Sequence, residues 1–518
     1  DTTPSDHTLT IGGTANTLTL SAITNSNPGD ARRLVISRPI SGTNGLTIAG
    51  GGVVQLTSST SSYTGASAIL AGSLLDFGGM PIANIGGGSA AGSNISVAAG
   101  SGVRFNNATQ ALLSRIAATS DELTVMSGST SNALDFSTAT GASLPNAFFG
   151  NWASNGAKIE YNGTLTPAAD HYRLGGKGSN GLMGIRSVLA GAQGLIVGGT
   201  AASGVRVNLV AANTFSGDTV IRTGAKLTLG NNLALQNSAL DVGASGGTLA
   251  LAAGTNGSRI LDETASSSPT FGGLKGSRNL LSVFTSSGGN NETNLASTAI
   301  TGFTLNPGSG KSCTYSGVIA NFAPSTSLTK TGEGSQTLNA ANTYSGATTI
   351  SRGTLALGLN GSLSNSPSLA IAAGATFDAS AKSSHAIPAS QPLIFGIDAT
   401  GSGSCGTIQA ATLQIGNASV TFDITGTPDD PAYVLATYTS LQGGSFASIS
   451  TPPSGYQLDY AYQGNKIALV KIVTAPYLAW SGGAAADADS NGDGIQNGVA
   501  WALGALNPTA NAPGLLPT

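Results

Sequence analysis

The sequence predicts an all-β chain wound as a parallel β-helix: a β-solenoid of roughly 20 coils with a small C-terminal cap. Three observations carry this prediction. The first is composition. Of 518 residues, 74 are glycine and only 9% are charged, yet 40% are apolar. That is enough apolar surface for a core, without the charge density of a self-repelling disordered chain. The second is a strand–turn–strand unit that recurs along the chain. The third is the lack of competing patterns: no Ala/Glu/Lys/Leu/Arg heptads, no strict Gly-X-Y period and no run of 18 apolar residues. A net charge of −3 with no basic stripe argues against nucleic acid as a partner.

The recurring unit has three copies. They are Leu56 to Gly78, Leu209 to Gly230 and Leu338 to Gly358. In each, an aromatic precedes a glycine by two residues: Tyr63 and Gly65, Phe215 and Gly217, Tyr344 and Gly346. A second glycine follows (Gly72, Gly224, Gly353), and after it an apolar alternation such as Leu227/Leu229 or Leu355/Leu357. Period-two alternation marks a half-buried strand, and glycine marks turns where φ is positive. The three aromatics are read as corner fillers rather than sugar platforms. A second element runs into Ala-Ala-Gly at Ile95–Gly100 and Leu369–Gly374, followed by Phe105 and Phe377. Tyr315–Ile319 is a shortened version. One coil of 20–25 residues cannot bury its own apolar face, so stacking is required; at about 4.8 Å per coil the rod is expected to reach on the order of 100 Å.

With the stretch Ser327–Gly334, Thr337-Leu338, Ala341–Gly346 and Arg352–Leu355 on the page, the chain resembles the autotransporter-associated β-strand repeat, also called the passenger-associated transport repeat. The copies 45–78 and 205–230 are degenerate; residues 45–52 read GLTIAGGG where the family carries Leu-Thr-Lys-x-Gly-x-Gly. The resemblance implies a right-handed helix, export, and a secreted or outer-surface location in a Gram-negative bacterium. It implies no single activity. No leader or translocator barrel is recognised in the sequence, so it is expected to be a processed or trimmed product.

The domain reading is a solenoid over 1–430, terminal β coils or a small antiparallel β region over 431–475, and an Asp-rich loop with a short helix over 476–518, serving as cap or tail. In the last, oxygen-bearing residues recur at every second position, which suits a hard cation. The candidate calcium ligands are Asp487, Asp489, Asn491, Asp493, the Ile495 carbonyl and Asn497. The loop resembles a calcium-loop tail motif of secreted bacterial proteins, but Ala500 stands where that motif carries a bidentate glutamate. The competing reading is an Asp/Asn turn that orients a small helical cap.

Other matches are discounted. Gly176–Gly181 fits a dinucleotide pattern without the βαβ context, Gly310-Lys311-Ser312 lacks the first glycine of a phosphate loop, and Gly243–Gly247 fits a nucleophile elbow in a chain full of glycine and serine. His7, His171 and His385 have no metal-type neighbour, and His171 is read as a surface turn residue. Asp429-Asp430 is read as a turn. Cys313 and Cys405 should lie about four coils apart, roughly 20 Å along the rod, so an intrachain disulfide would need a long excursion or a folded-back segment; free or buried thiols are expected first, then an intrachain bond, then an interchain one. The resulting expectation is a non-catalytic, secreted structural solenoid. It self-associates into a fibre, sheath or surface layer, helped by low net charge. An adhesin or glycan-binding passenger is the alternative, and a polysaccharide lyase a remote one, since its carboxylate cluster is not found. Calcium is the one cofactor expected, and no membrane-spanning segment is foreseen.

Overall fold

A computed structural model describes residues 9–11, 17–22, 33–78, 80, 85, 94–137, 143–151, 158–168, 170–176, 181–199, 204–243, 246–253, 267–286, 294–401, 403–472 and 476–510. The chain is mostly β, a β-solenoid of about 15 turns with few short helices. The strands are short because each coil crosses each face only once. Ser327–Lys330 stacks in parallel on Gly302–Leu305, then Thr348–Ile350 stacks on it, then Leu369–Ile371 and Leu393–Asp398 in turn. A second column runs Ser312–Tyr315, Ser335–Leu338, Thr354–Leu357, Thr376–Ala379. Further parallel columns include a five-stranded sheet that begins at Lys158–Tyr161 and ends at Thr248–Leu251.

Alternation does what the sequence pattern foretells. In Ser327–Lys330, Ser335–Leu338 and Thr354–Leu357 every second residue is buried. The apolar ones, Leu328, Leu338, Leu355 and Leu357, join one core that runs from Leu20 to Leu469. Ile95–Val97 and Leu369–Ile371 form strands as expected, each followed by a glycine with positive φ, Gly100 at 69° and Gly374 at 76°.

The number of turns is lower than the roughly 20 expected. The reason is coil length. Leu328 stacks on Thr348, but Leu240 stacks on Leu274 and Phe271 on Leu305; those coils carry long excursions. At about 4.8 Å per turn the stack is on the order of 70 Å long, not 100 Å.

Past Pro431 parallel stacking continues as far as Ser448-Ile449 on Ser419-Val420, and antiparallel pairing joins it. Ala432–Gln442 still lies parallel on Thr407–Gln414, but its other neighbour, Lys466–Lys471, is antiparallel, and Tyr456–Tyr462 pairs antiparallel with that. The last strands of the sheet are thus paired antiparallel. Residues 476–510 have a small core of their own, Ala500 and Ala505 with Trp480 and Ile495. Among the described residues no helix is long and apolar enough to cross a membrane.

Candidate functional site

The repeat unit is where polar chemistry is concentrated, and it is directed at the neighbouring coil. In the copy 327–358, the carboxamide of Asn342 is buried. Its Oδ1 accepts from the Ile319 N–H at 2.9 Å, and its Nδ2 donates to the carbonyls of Ala340 at 2.9 Å and Ser362 at 3.3 Å. In the copy 205–230, Asn213 Oδ1 accepts from Leu189 N–H at 2.9 Å and Nδ2 donates to Ala234 O at 3.0 Å. In the first copy the same place is held by Ser61, whose Oγ accepts from Ile40 N–H at 3.1 Å. One buried side chain, two residues before the aromatic, thus satisfies a backbone N–H of the preceding coil in all three units. Without it that donor would be buried and unpaired.

Two residues on, the aromatic fills the corner. Tyr63, Phe215 and Tyr344 are each 1% exposed, so they are fillers, as expected, and offer no sugar platform. The two tyrosine hydroxyls are paired, Tyr63 with Ser67 Oγ at 2.8 Å and Tyr344 with Thr348 Oγ1 at 2.7 Å. Burial pushes the Tyr344 phenol well above its ordinary pKa and keeps it neutral. Thr348 passes the chain on to Ser366 Oγ at 2.9 Å, and that serine donates to Gly346 O at 2.9 Å. Thr219 and Ser238 form the corresponding hydroxyl pair beside Phe215, at 2.7 Å.

The glycines divide into two kinds, a distinction the sequence does not reveal. Gly72, Gly224 and Gly353 have φ of 77°, 83° and 62°, the turn role expected of them. Gly346 does not need a positive φ; a Cβ there would overlap the carbonyl of Thr326 in the coil beneath. It is required by close approach of two backbones.

The Lys-Thr-Gly string is also structural. Lys330 is fully buried. Its Nζ donates to Thr331 O at 2.5 Å, Gly332 O at 2.9 Å and Arg352 O at 3.1 Å, so it ties its own turn to the next one. Burial lowers its pKa to about 8, against the opposing pull of Glu333. Gln336 Nε2 donates to Leu274 O at 3.0 Å and Cys313 O at 3.3 Å, and Oε1 accepts from Leu274 N–H at 2.8 Å. Asp76, fully buried, accepts from Gln55 Nε2 at 2.8 Å and Arg104 Nη1 at 2.6 Å.

Comparison with known families agrees with this geometry. The family model described as Passenger-associated-transport-repeat matches residues 46–75 and 328–357. The chain carries two passenger-associated transport repeats. They are associated with autotransporter passengers, which implies a surface or secreted location. The copy at 205–230 lies outside the two matches, although its clamp and corner are built alike. In the first repeat Ile48 and Val54, both fully buried, stand where the second has Lys330 and Gln336. No curated protein and no solved structure matches the chain.

The remaining candidates are placed as follows. In the C-terminal loop, Asp489 accepts backbone N–H groups from Gly492, Asp493 and Gly494. Asp493 Oδ1 accepts from Ile495 N–H, and Asn491 Nδ2 donates to Asp493 Oδ2. Asp487 is exposed. Asn497 is 1% exposed; its Nδ2 donates to Ala485 O and Ser490 Oγ, and its Oδ1 accepts from Ser490 N–H. That amide is engaged in closing the loop rather than offered to a cation. Ala500, at the expected carboxylate position, packs into the small core. The residues present therefore fit calcium only in part. Among the described residues no group of three or more His, Cys, Asp or Glu side chains is placed to hold a metal.

Cys313 and Cys405 are free thiols, one buried and one half-buried. Stacking runs from Cys313 through Gln336, Leu355 and Phe377 to Ile408, so they do lie about four coils apart. Ser312, after Gly310-Lys311, opens a strand and not the helix a phosphate loop requires. His171 is not in a turn: it opens the strand His171–Leu174, half-buried, with its imidazole beside the Asp170 carboxylate. His7, Lys177 to Asn180, and Ala244 and Ser245 lie outside the described residues.

Proposed function

We propose that the protein is a non-catalytic passenger-type β-solenoid of a Gram-negative cell surface, wound right-handed, which self-associates into a fibre, sheath or surface layer. The observation that carries this reading is where its buried polar groups go. Lys330, Gln336, Asn213, Asn342 and Asp76 are residue types that could serve acid–base or binding chemistry. Each instead bonds to the backbone or to side chains of its own and adjoining coils. A chain that directs these groups into its own stack is organised for length and rigidity. Net charge near zero for its size lowers the repulsion between rods laid side by side. The C-terminal loop, in the same reading, is closed by its own Asn497 and Asp489 bonds. Millimolar calcium is then expected to leave the fluorescence of Trp480 unchanged, and a saturable change would assign the loop to calcium instead.

Electron microscopy of the native secreted material is the test. Filaments or sheets are expected. Isolated rods of on the order of 70 Å at all concentrations would overturn self-association.

A further inference from the structure

On the side of the solenoid lies an open cleft of about 390 Å3, within the size range of small-ligand sites. It lies where the parallel stacking between two coils thins to a bridge. Strand Lys158–Tyr161 begins the five-stranded sheet. Below it the preceding coil supplies a single bridge, Thr130 to Tyr161, rather than a strand. Residues 129–132 stay bonded to the next coil, Thr130 through its backbone and Asn132 O by accepting from Tyr161 Oη at 3.0 Å, and regular pairing returns at Leu134-Asp135 on Leu165-Thr166; the cleft opens beside this irregular stretch.

The two walls are set by different means. On one, strand alternation points Ile159 and Tyr161 into the core and leaves Lys158, Glu160 and Asn162 on the cleft side. On the other, Asn132 Nδ2 is tied to Asn107 Oδ1 at 3.0 Å and Ala108 O at 2.9 Å. Ser129 Oγ accepts from Glu160 N–H at 3.0 Å and joins the walls. Ser131 and Asn162 stand exposed at the rim.

Every side chain lining the cleft carries an amide, a hydroxyl or a charge. An apolar peptide or an acyl chain finds nothing to bury there. The lining acid and base are already paired, Lys158 Nζ to Glu160 Oε1 at 3.0 Å, with Arg186 Nη1 at 3.8 Å from the same oxygen. An anion or a cation would have to break that pair. What remains complementary is a neutral ligand dense in hydroxyl groups, able to exchange donors and acceptors with fixed amides and hydroxyls.

We propose that this cleft binds a neutral oligosaccharide. The proposal is independent of self-association: the site lies on one rod and needs no second copy. Binding made of solvent-exchanging hydrogen bonds is weak per site, with Kd on the order of 0.1–1 mM, and gains strength when many rods present it together.

The test uses the full chain on an array of immobilised neutral, N-acetylated and uronic-acid oligosaccharides, followed by titration calorimetry with the best neutral binder. Asn162→Ala and Ser131→Val alter exposed rim residues and remove an amide and a hydroxyl; circular dichroism checks that each remains folded. The expected result is saturable binding of a neutral sugar, weakened at least tenfold by both substitutions. No sugar bound, binding confined to uronic-acid sugars, or binding unmoved by both variants would each overturn the proposal. Filament formation, read separately, should be the same in wild type and variants.

Discussion

Replacing Asn342 with alanine tests the clamp directly. In the native protein its carboxamide receives the Ile319 N–H and donates to Ala340 O and Ser362 O. The two carbonyls have other donors, from Ser362 N–H and Asn342 N–H respectively, so their loss is modest, about 0.5 kcal/mol each. The Ile319 N–H has no such reserve. Left buried and unpaired it costs about 1–3 kcal/mol, giving about 2–4 kcal/mol in all. A long stack does not unfold in one step, so a single global free energy is the wrong readout. Native-state hydrogen exchange resolves the local cost. Protection at Ile319 and across Ser335–Leu357 should fall by about 30- to 1000-fold, using about 1.4 kcal/mol per decade, while Ile408 and Val420 keep theirs. Asn342→Ser should recover part of the loss, because Ser61 performs the same service for Ile40 with a hydroxyl. A fall of less than threefold, or serine proving no better than alanine, would refute the clamp.

Gly346→Ala should destabilise the same region by more than 2 kcal/mol, since the new methyl meets the Thr326 backbone carbonyl, which cannot swing aside; an unchanged melting profile would contradict the close approach. Lys330→Ile should be tolerated better than Lys330→Ala. Both leave three carbonyls without the Nζ donor, but isoleucine is what the first repeat buries at this place (Ile48) and alanine adds a cavity; thermal midpoints in the reverse order would count against it. His385 is held neutral, its pKa pushed down to about 4 by burial, with Lys382 adding to the effect. The unfolded chain therefore takes up a proton near pH 6.5 and the folded one only near pH 4, so stability should fall by about 3 kcal/mol as pH drops through that window. His385→Gln should flatten this part of the pH profile, and an identical profile would remove His385 as its cause. The Cys405 thiol, raised to about 11 by burial and donating to Val434 O at 3.0 Å, should react with a disulfide reagent far more slowly at pH 8 than after denaturation.

Much of the solenoid was legible in the sequence. Strand alternation, the glycine turns at Gly72, Gly224 and Gly353, and the burial of Tyr63, Phe215 and Tyr344 follow from local pattern, because each depends on residues a few positions apart. The separation of the two cysteines followed from stacking arithmetic. Past Pro431 the sequence left further coils and antiparallel strands both open, since alternation is the same for parallel and antiparallel strands. The clamp was missed, although Asn-Thr-aromatic-Ser-Gly occurs at both 213–217 and 342–346. Asparagine before a turn reads as turn chemistry until its partner is known.

The sequence by itself determined that the chain stacks, because a coil with one apolar face cannot bury that face alone. It also determined which residues face inward, through the period of two. Only the tertiary structure decided the number of turns, because excursions lengthen a coil without changing its strand pattern. It also decided that Lys330, Gln336 and Asn342 serve neighbouring coils, since each has at least one partner about a coil or more away in sequence. The same holds for the cleft beside Lys158–Tyr161: its lining comes mainly from two segments about 30 residues apart, and a cleft between stacked coils has no signature in the residues of either one alone.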